Sequence, residues 1–224
     1  MEIINKVRGL GIGYVLEALF ERVIPAWLFR ICLLEVYQLD FDKLSAARLS
    51  NASVNICDNE HELEQLKELT SHGSVEPHFI GVLARVEGQA AGGLWMATKE
   101  FRDNDVGLSF TLEAGHTWIY AARVEPHYRR QGIYSHLMSE SAQSRKRLQK
   151  SAPLIAVSRL NRASRKGIQR FGTLVGKVLV IRIGSVAWAR STGDLRQNQN
   201  WTFQCSQRPI HLKLAGQAEE SSEA

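Results

Sequence analysis

Cysteine is scarce in this chain: three residues, Cys32, Cys57 and Cys205, far apart and outside any Cys-x-x-Cys spacing. That excludes a disulfide framework and a thiolate metal signature, so no metal is expected, and a reducing, cytoplasmic setting fits. Long apolar runs are missing as well. Ile12, Val15, Leu16, Leu19, Phe20, Val23, Ile24, Trp27, Leu28 and Ile31 recur at helical spacing, but Glu17, Glu21 and Arg22 interrupt them. No stretch reaches the about 20 apolar residues that a membrane-spanning helix needs, and the same glutamates spoil a cleavable signal sequence. Acidic residues vanish from Ser141 to Gly193, while Arg145, Lys146, Arg147, Lys150, Arg159, Arg162, Arg165, Lys166, Arg170, Lys177, Arg182 and Arg190 recur there. A one-signed stretch of that length is a field, read either as a solvated face that in part serves a ligand's phosphates or as the docking face for an anionic partner. No aromatic-rich RNA motif or recognition helix accompanies it, so nucleic acid ranks last among the candidates.

What is present reads as a folded core with extensions, for 224 residues are enough for one domain and more. Residues 1–47 form an amphipathic helical extension on this reading, with Pro25 dividing it into two short helices. Its apolar stripe must be buried against the protein's own core, a second copy of the chain, or a membrane surface. Residues 48–190 carry the main domain. Val54–Cys57 reads as a strand, and Asn59 with Glu62 as a capping box before a helix whose inner face is Leu63, Leu66 and Leu69. Two strands, His78–Val86 and Gln89–Thr98, meet at a Glu87-Gly88 hairpin. Lys99–Gly107 reads as a polar loop. Leu108–Leu112 and Thr117–Val124 continue the sheet, and helices starting at Ile133 and Asn161 then alternate with strands at Pro153–Val157, Gly176–Ile183 and Ser185–Arg190. Strands first, then alternating strands and helices, predict a mixed α/β sheet. Residues 191–214 are a strand-like extension, and 215–224 an acidic tail expected to be disordered.

The most informative stretch runs from Tyr120 to His136. An apolar strand ends at Val124, Pro126 stops it, and Arg129-Arg130-Gln131-Gly132 leads into a helix at Ile133. The first turn of a helix leaves backbone N–H groups without partners, and its dipole favours negative charge there. Glycine lets the backbone approach an anion, and arginines add charge-assisted hydrogen bonds. Neither Gly-x-x-x-x-Gly-Lys-Ser/Thr nor a strand-borne Gly-x-Gly-x-x-Gly is present; Gly9-Leu10-Gly11-Ile12-Gly13 has the wrong spacing. Arg129-Arg130-Gln131-Gly132-Ile133-Tyr134 instead resembles the pyrophosphate loop of the GCN5-related N-acetyltransferases, Arg/Gln-x-x-Gly-x-Gly/Ala. Downstream, Pro153-Leu154-Ile155-Ala156-Val157 followed by Asn161-Arg162-Ala163-Ser164 is similar to the family's second motif, a strand and then Asn-x-x-Ala/Ser. The resemblance covers roughly Arg48 to Arg190.

The resemblance implies a mostly antiparallel central sheet flanked by helices, of the acyl-CoA N-acyltransferase type. Its implied donor is acetyl-CoA or another acyl-CoA. Pyrophosphate would sit on the amides from Arg130 to Tyr134, beside Arg129, Gln131, Gly132 and Ile133. Pantetheine would add as a pseudo-strand along Ala122, Arg123 and Val124, where the family's parallel strands splay after the position of Val124. Asn161 and Ser164 would support the far side. Three positions depart from the family pattern. Tyr134 replaces the last small residue of the loop, Tyr120 stands where many members carry a glutamate base, and Ile168 stands where a tyrosine acid is common. Candidate proton-transfer groups are therefore Glu113, His116 and Tyr120, with Tyr128 and Tyr134 as candidate acids. The function expected is acyl transfer from acyl-CoA to an amine acceptor, small or lipid-like, by direct attack in a ternary complex. A catalytically silent acyl-CoA binder and a docking protein of the same fold stand as alternatives. Homodimerisation through the N-terminal helices and peripheral contact with an anionic membrane or an acyl-carrier protein are the partner expectations.

Overall fold

The computed structural model describes residues 29–45, 50–72, 79–103, 108–112, 115–184, 186–193, 202–205 and 210–213. The helical pattern from Ile12 to Leu28, the tail from Gln217 and Glu113 lie outside them. In chain order the described elements are β1 (Phe29–Leu39), α1 (Phe41–Ser45), β2 (Ser53–Ile56), α2 (Glu60–Thr70), β3 (Phe79–Val86), β4 (Gln89–Ala97), β5 (Glu100–Asp103) and β6 (Leu108–Thr111). After these come β7 (Trp118–Val124), a 3-10 turn (Pro126–Tyr128), α3 (Ile133–Arg147), β8 (Leu154–Ser158), α4 (Arg162–Ile168), β9 (Gly172–Ile183), β10 (Val186–Gly193), β11 (Thr202–Cys205) and β12 (Ile210–Lys213).

Local signals account for several of these. Asn59 caps α2 by accepting the Glu62 backbone N–H at 3.0 Å, and the Glu62 carboxylate accepts the Asp58 N–H at 3.3 Å. The β3–β4 hairpin turns through Glu87 and Gly88, with φ of 51° and 81°. Positive φ at both central residues is what a two-residue hairpin requires.

Nine strands form one sheet in the order β11-β10-β9-β1-β8-β7-β4-β3-β2. Every pairing within it is antiparallel except that of β7 with β8. The sheet is therefore mixed and mostly antiparallel. A smaller sheet, β12-β6-β5, lies beside it. On one face α2 buries Leu66 and Leu69 with Leu34, Val36, Leu83, Trp95, Trp118 and Tyr120. On the other, α3 and α4 bury Leu137, Met138 and Ile168 with Leu94, Met96, Ile119 and Ile155.

Two expectations are corrected. Ile31, which continues the helical spacing of the N-terminal segment, belongs to β1, a strand inside the sheet between β9 and β8. From Leu34 to Leu39 the strand is buried at most positions and apolar at most of them, while Ile31 near its start is exposed, so no clean period-two alternation marks it. The polar segment 99–107 also contains a strand, β5, whose Phe101 is buried between exposed or half-exposed neighbours. One buried residue in four is too weak a period-two signal to read from sequence.

Candidate functional site

The parallel β7 and β8 both end on the same side of the sheet, so α3 and α4, which follow them, both start there. The two strands are paired only at Trp118–Leu154 and Ile119–Ile155. Beyond those pairs the ladder stops, and each strand continues with its outer neighbour alone, β7 with β4 and β8 with β1. The strands thus part five residues earlier than the expected position after Val124.

The cause is a bulge. On β4, Gly93 pairs with Arg123 and Trp95 pairs with Tyr120. Ala121 and Ala122 therefore oppose the single residue Leu94, and Ala121 takes up the extra length with φ of 50°. A bulge bends its strand and increases the local twist, which turns β7 away from β8. No glycine marks this place in the sequence, so nothing signalled it. Gly93 and Gly92 pair with Arg123 and Val124, just past the bulge. A Cβ on Gly92 would come within 3.1 Å of the Arg123 carbonyl oxygen and of Ile133, and one on Gly93 within 2.2 Å of Leu66. The glycines let α3 and α2 close on the two faces of the sheet at this point.

The turn after β7 is built by its own side chains. Arg129 donates from Nε to the Val124 carbonyl at 3.2 Å, and Gln131 donates to the His127 carbonyl at 3.2 Å. Arg130 has φ of 65° and Gly132, the N-cap of α3, has φ of 82°. No side chain caps α3, and the first N–H returned to the helix is that of His136, bonded to the Gly132 carbonyl. Arg129, Arg130 and Gln131 are exposed around this end. The residues present thus fit an anionic group: cations, a left-handed glycine and uncapped amides share one turn.

Ile133 and Tyr134 contribute only backbone there. Ile133 is in the core, and the Tyr134 ring lies 6.2 Å from that of Phe171 and against Gly167. Tyr134 therefore turns away from the loop it belongs to, and burial pushes its phenol well above the usual tyrosine range. Asn161 caps α4, its side chain accepting the Ser164 N–H at 3.1 Å. Replacing Asn161 by alanine should cost about 1 kcal/mol, read as a fall in melting temperature. Ile168 is buried in the core and offers no hydroxyl.

Of the proton-transfer candidates among the described residues, His116 and Tyr120 do not come together. His116 precedes β7 at the end where the Leu154 N–H still bonds to the Thr117 carbonyl. At ~3.3 Å per residue it lies about 13 Å before Tyr120 along the strand. Its Nδ1 is buried without a hydrogen-bond partner. Tyr120 sits at the bulge on the α2 face, with its ring 4.9 Å from that of His72, 5.4 Å from Phe79 and 4.4 Å from Phe101. Tyr128 packs against the opposite core. His72, 48 positions away from Tyr120 in sequence, carries no motif that could have announced it.

The basic run also divides. Arg159 follows β8 and Arg162 opens α4 at the end where the strands part. Arg165 and Lys166 lie in the last turn of α4, and Arg170 precedes Phe171, whose carbonyl accepts the Asp40 N–H at the opposite end of β8. Lys146 and Arg147 lie at the far end of α3, about 20 Å from its start at ~1.5 Å per residue. There Lys146 rests over the Phe41 ring at 5.7 Å and Arg147 pairs with Glu140. Among the described residues no helix is long and apolar enough to cross a membrane, and no cluster of three His, Cys, Asp or Glu could hold a metal ion.

A parallel pair that parts at a bulge, followed by a helix opening on a glycine turn, defines the acyl-CoA N-acyltransferase fold. Residues 33–172 match the acetyltransferase (GNAT) family, and the chain belongs to it. Among solved structures, a conserved protein of unknown function from Staphylococcus epidermidis ATCC 12228 shares the fold at 13% identity and a TM-score of 0.50, over 74% of this chain and 66% of that one. A GCN5-related N-acetyltransferase-like protein from Streptococcus suis 89/1591 aligns at 13% identity and 0.49, over 74% and 66%. A GCN5-related N-acetyltransferase from Kribbella flavida aligns at 13% and 0.47, over 64% and 55%. The chain thus spans two thirds or less of the length of these proteins. No curated protein matches the sequence.

Proposed function

We propose that this protein transfers an acyl group from acyl-CoA to an amine acceptor by direct attack within a ternary complex. The observation that carries the reading is the early end of the β7–β8 ladder at Ile119 and Ile155, with the uncapped start of α3 beside Gly92 and Val124 further along the parted strand. An extended chain such as pantetheine would add to β7 along Ala122, Arg123 and Val124, as a strand adds to a sheet edge. Its pyrophosphate would lie on the amides of Gly132 to Tyr134, with Arg129 and Arg130 beside it. Asn161 and Ser164 would act indirectly, by holding the start of α4. Backbone N–H groups near Val124 would stabilise the developing oxyanion.

The test is a thermal-shift titration with coenzyme A, acetyl-CoA and longer acyl-CoAs. A ligand that binds only the folded state raises the melting temperature with concentration. The expected result is such a rise, its dependence on chain length naming the acyl donor. A well-folded protein that shows no rise with any of them would overturn the reading. Binding without free-thiol release across a broad amine panel would favour the silent form, which the apolar Ile168 and the lack of a carboxylate at Tyr120 motivate.

A further inference from the structure

We propose that His72, whose ring lies against Tyr120 at the bulge, is the group that takes the proton from the attacking amine. The inference rests on the acyl-transfer reading above.

His72 is held in place by the end of α2. The Trp95 indole N–H donates to Thr70 Oγ1 at 3.0 Å, and Thr70 donates in turn to the Leu66 carbonyl at 2.7 Å. Ser71 then ends the helix in the left-handed region, with φ of 55°. Its hydroxyl oxygen accepts from Arg123 at 3.3 Å, across the bulge. The His72 N–H bonds to the Lys67 carbonyl at 3.3 Å, and the imidazole meets Tyr120 edge-on at 4.9 Å and Trp95 at 6.4 Å. The turn Ser71–His72 is thereby tied to both sides of the bulge, at Tyr120 before it and at Arg123 after it.

The surroundings suit a neutral base. From β4 and β7 the neighbours of the ring are Trp95 and Tyr120, and none is a carboxylate. Among the described residues, the charged groups nearest in the chain are Glu68 and Lys67 on α2 itself, Lys67 paired with Glu64, with Arg123 and Glu125 beyond the bulge; Glu76 lies outside the described residues. Burial holds the imidazole below the usual histidine pKa. It is then uncharged at neutral pH, with a lone pair available.

The step balances simply. The amine nitrogen forms a bond to the thioester carbonyl carbon, the carbon–sulfur bond breaks, and coenzyme A leaves as thiolate. The proton lost by the nitrogen passes to His72, and water returns a proton to the thiolate. A weak base suffices because the nitrogen becomes strongly acidic once it has attacked.

The test compares the full chain with His72→Asn, using His61→Asn on the exposed side of α2 as control. Binding of acetyl-CoA is read by thermal shift, thiol release by titration across a primary-amine panel, and the imidazole by NMR. His72→Asn should keep the acetyl-CoA thermal shift while thiol release falls on the order of 100-fold. The acid limb of the pH profile should vanish in that variant, and His61→Asn should match the original protein. The imidazole signal that disappears in His72→Asn should move when acetyl-CoA is added to the original protein. Release at the original rate with an unchanged pH profile overturns the proposal. An imidazole signal unmoved by bound acetyl-CoA overturns it too, whether or not any amine in the panel is accepted. A failure of the original protein to bind acetyl-CoA removes the acyl-transfer reading itself, and is separately visible.

Discussion

Gly132→Asp should abolish the rise in melting temperature that acetyl-CoA produces, while leaving a folded protein. Gly132 stands at the N-cap of α3 with φ of 82°, in the left-handed region. Any side chain there costs about 1–2 kcal/mol in backbone strain. That is a loss a domain with about 5–15 kcal/mol of stability survives. A carboxylate, however, stands where the pyrophosphate would lie and repels it, besides competing for the same amides. In the original protein, acetyl-CoA at about 100 times its dissociation constant should add about 2.7 kcal/mol. For a chain of this size that is a rise of about 5–10 °C. Gly132→Ala carries the strain without the charge, so it should melt lower yet retain much of the rise. Equal affinity of Gly132→Asp and the original protein in calorimetry would show that the turn holds no phosphate. The same electrostatic logic predicts that Arg129→Ala and Arg130→Ala together weaken binding, and that added salt narrows the difference.

The largest effect on stability is expected at Leu66, the residue on which α2 seats itself. Leu66 is fully buried, and its two methyl groups lie over Gly81 and Gly93. Leu66→Ala should cost about 3 kcal/mol, the transfer of the lost methyls plus the cavity they leave. Gly93→Ala should cost about 1–3 kcal/mol for the opposite reason, since its new Cβ would come within 2.2 Å of a Leu66 methyl. Combined, the two changes should cost less than their sum, with a coupling of about 1–2 kcal/mol, because the alanine at 93 enters space the leucine vacated. Relief stops short of complete, as the same Cβ also lies 3.0 Å from the backbone oxygen of Val82. Denaturant melts of the four proteins measure the cycle. Strict additivity would mean that α2 does not rest on Gly93. The cycle bears on function as well, for α2 carries Thr70, Ser71 and His72 across the bulge. A helix displaced by Gly93→Ala should therefore disturb the imidazole signal of His72 more than the thermal response to coenzyme A.

How much of this was legible beforehand follows from the range of the interactions involved. The hairpin at Glu87-Gly88, the cap at Asn59, the glycine turn at 129–132 and the Asn161–Ser164 unit each depend on residues within a few positions of one another. Their chemistry is local, so the amino-acid order determined them, and with them the family. The basic stretch from Ser141 to Gly193 was equally plain as composition. Its division between α4 and the end of α3 was not, because it depends on where the sheet places the strand β8 that lies between them.

Tertiary structure decided the rest. Ile31 keeps helical spacing, yet it belongs to a strand because β9 pairs with it, and from Leu34 onward β8 satisfies the other edge of β1 as well. Ala121 bears the positive φ of the bulge without being glycine, since the pairings of β7 with β4 on either side impose it. His116 precedes β7 at the end away from the bulge, a matter of strand direction. His72 reaches Tyr120 only because Leu66 finds two glycines beneath it and lets α2 lie close. Contacts of that kind are bought by packing across the whole domain, and no window of sequence contains them.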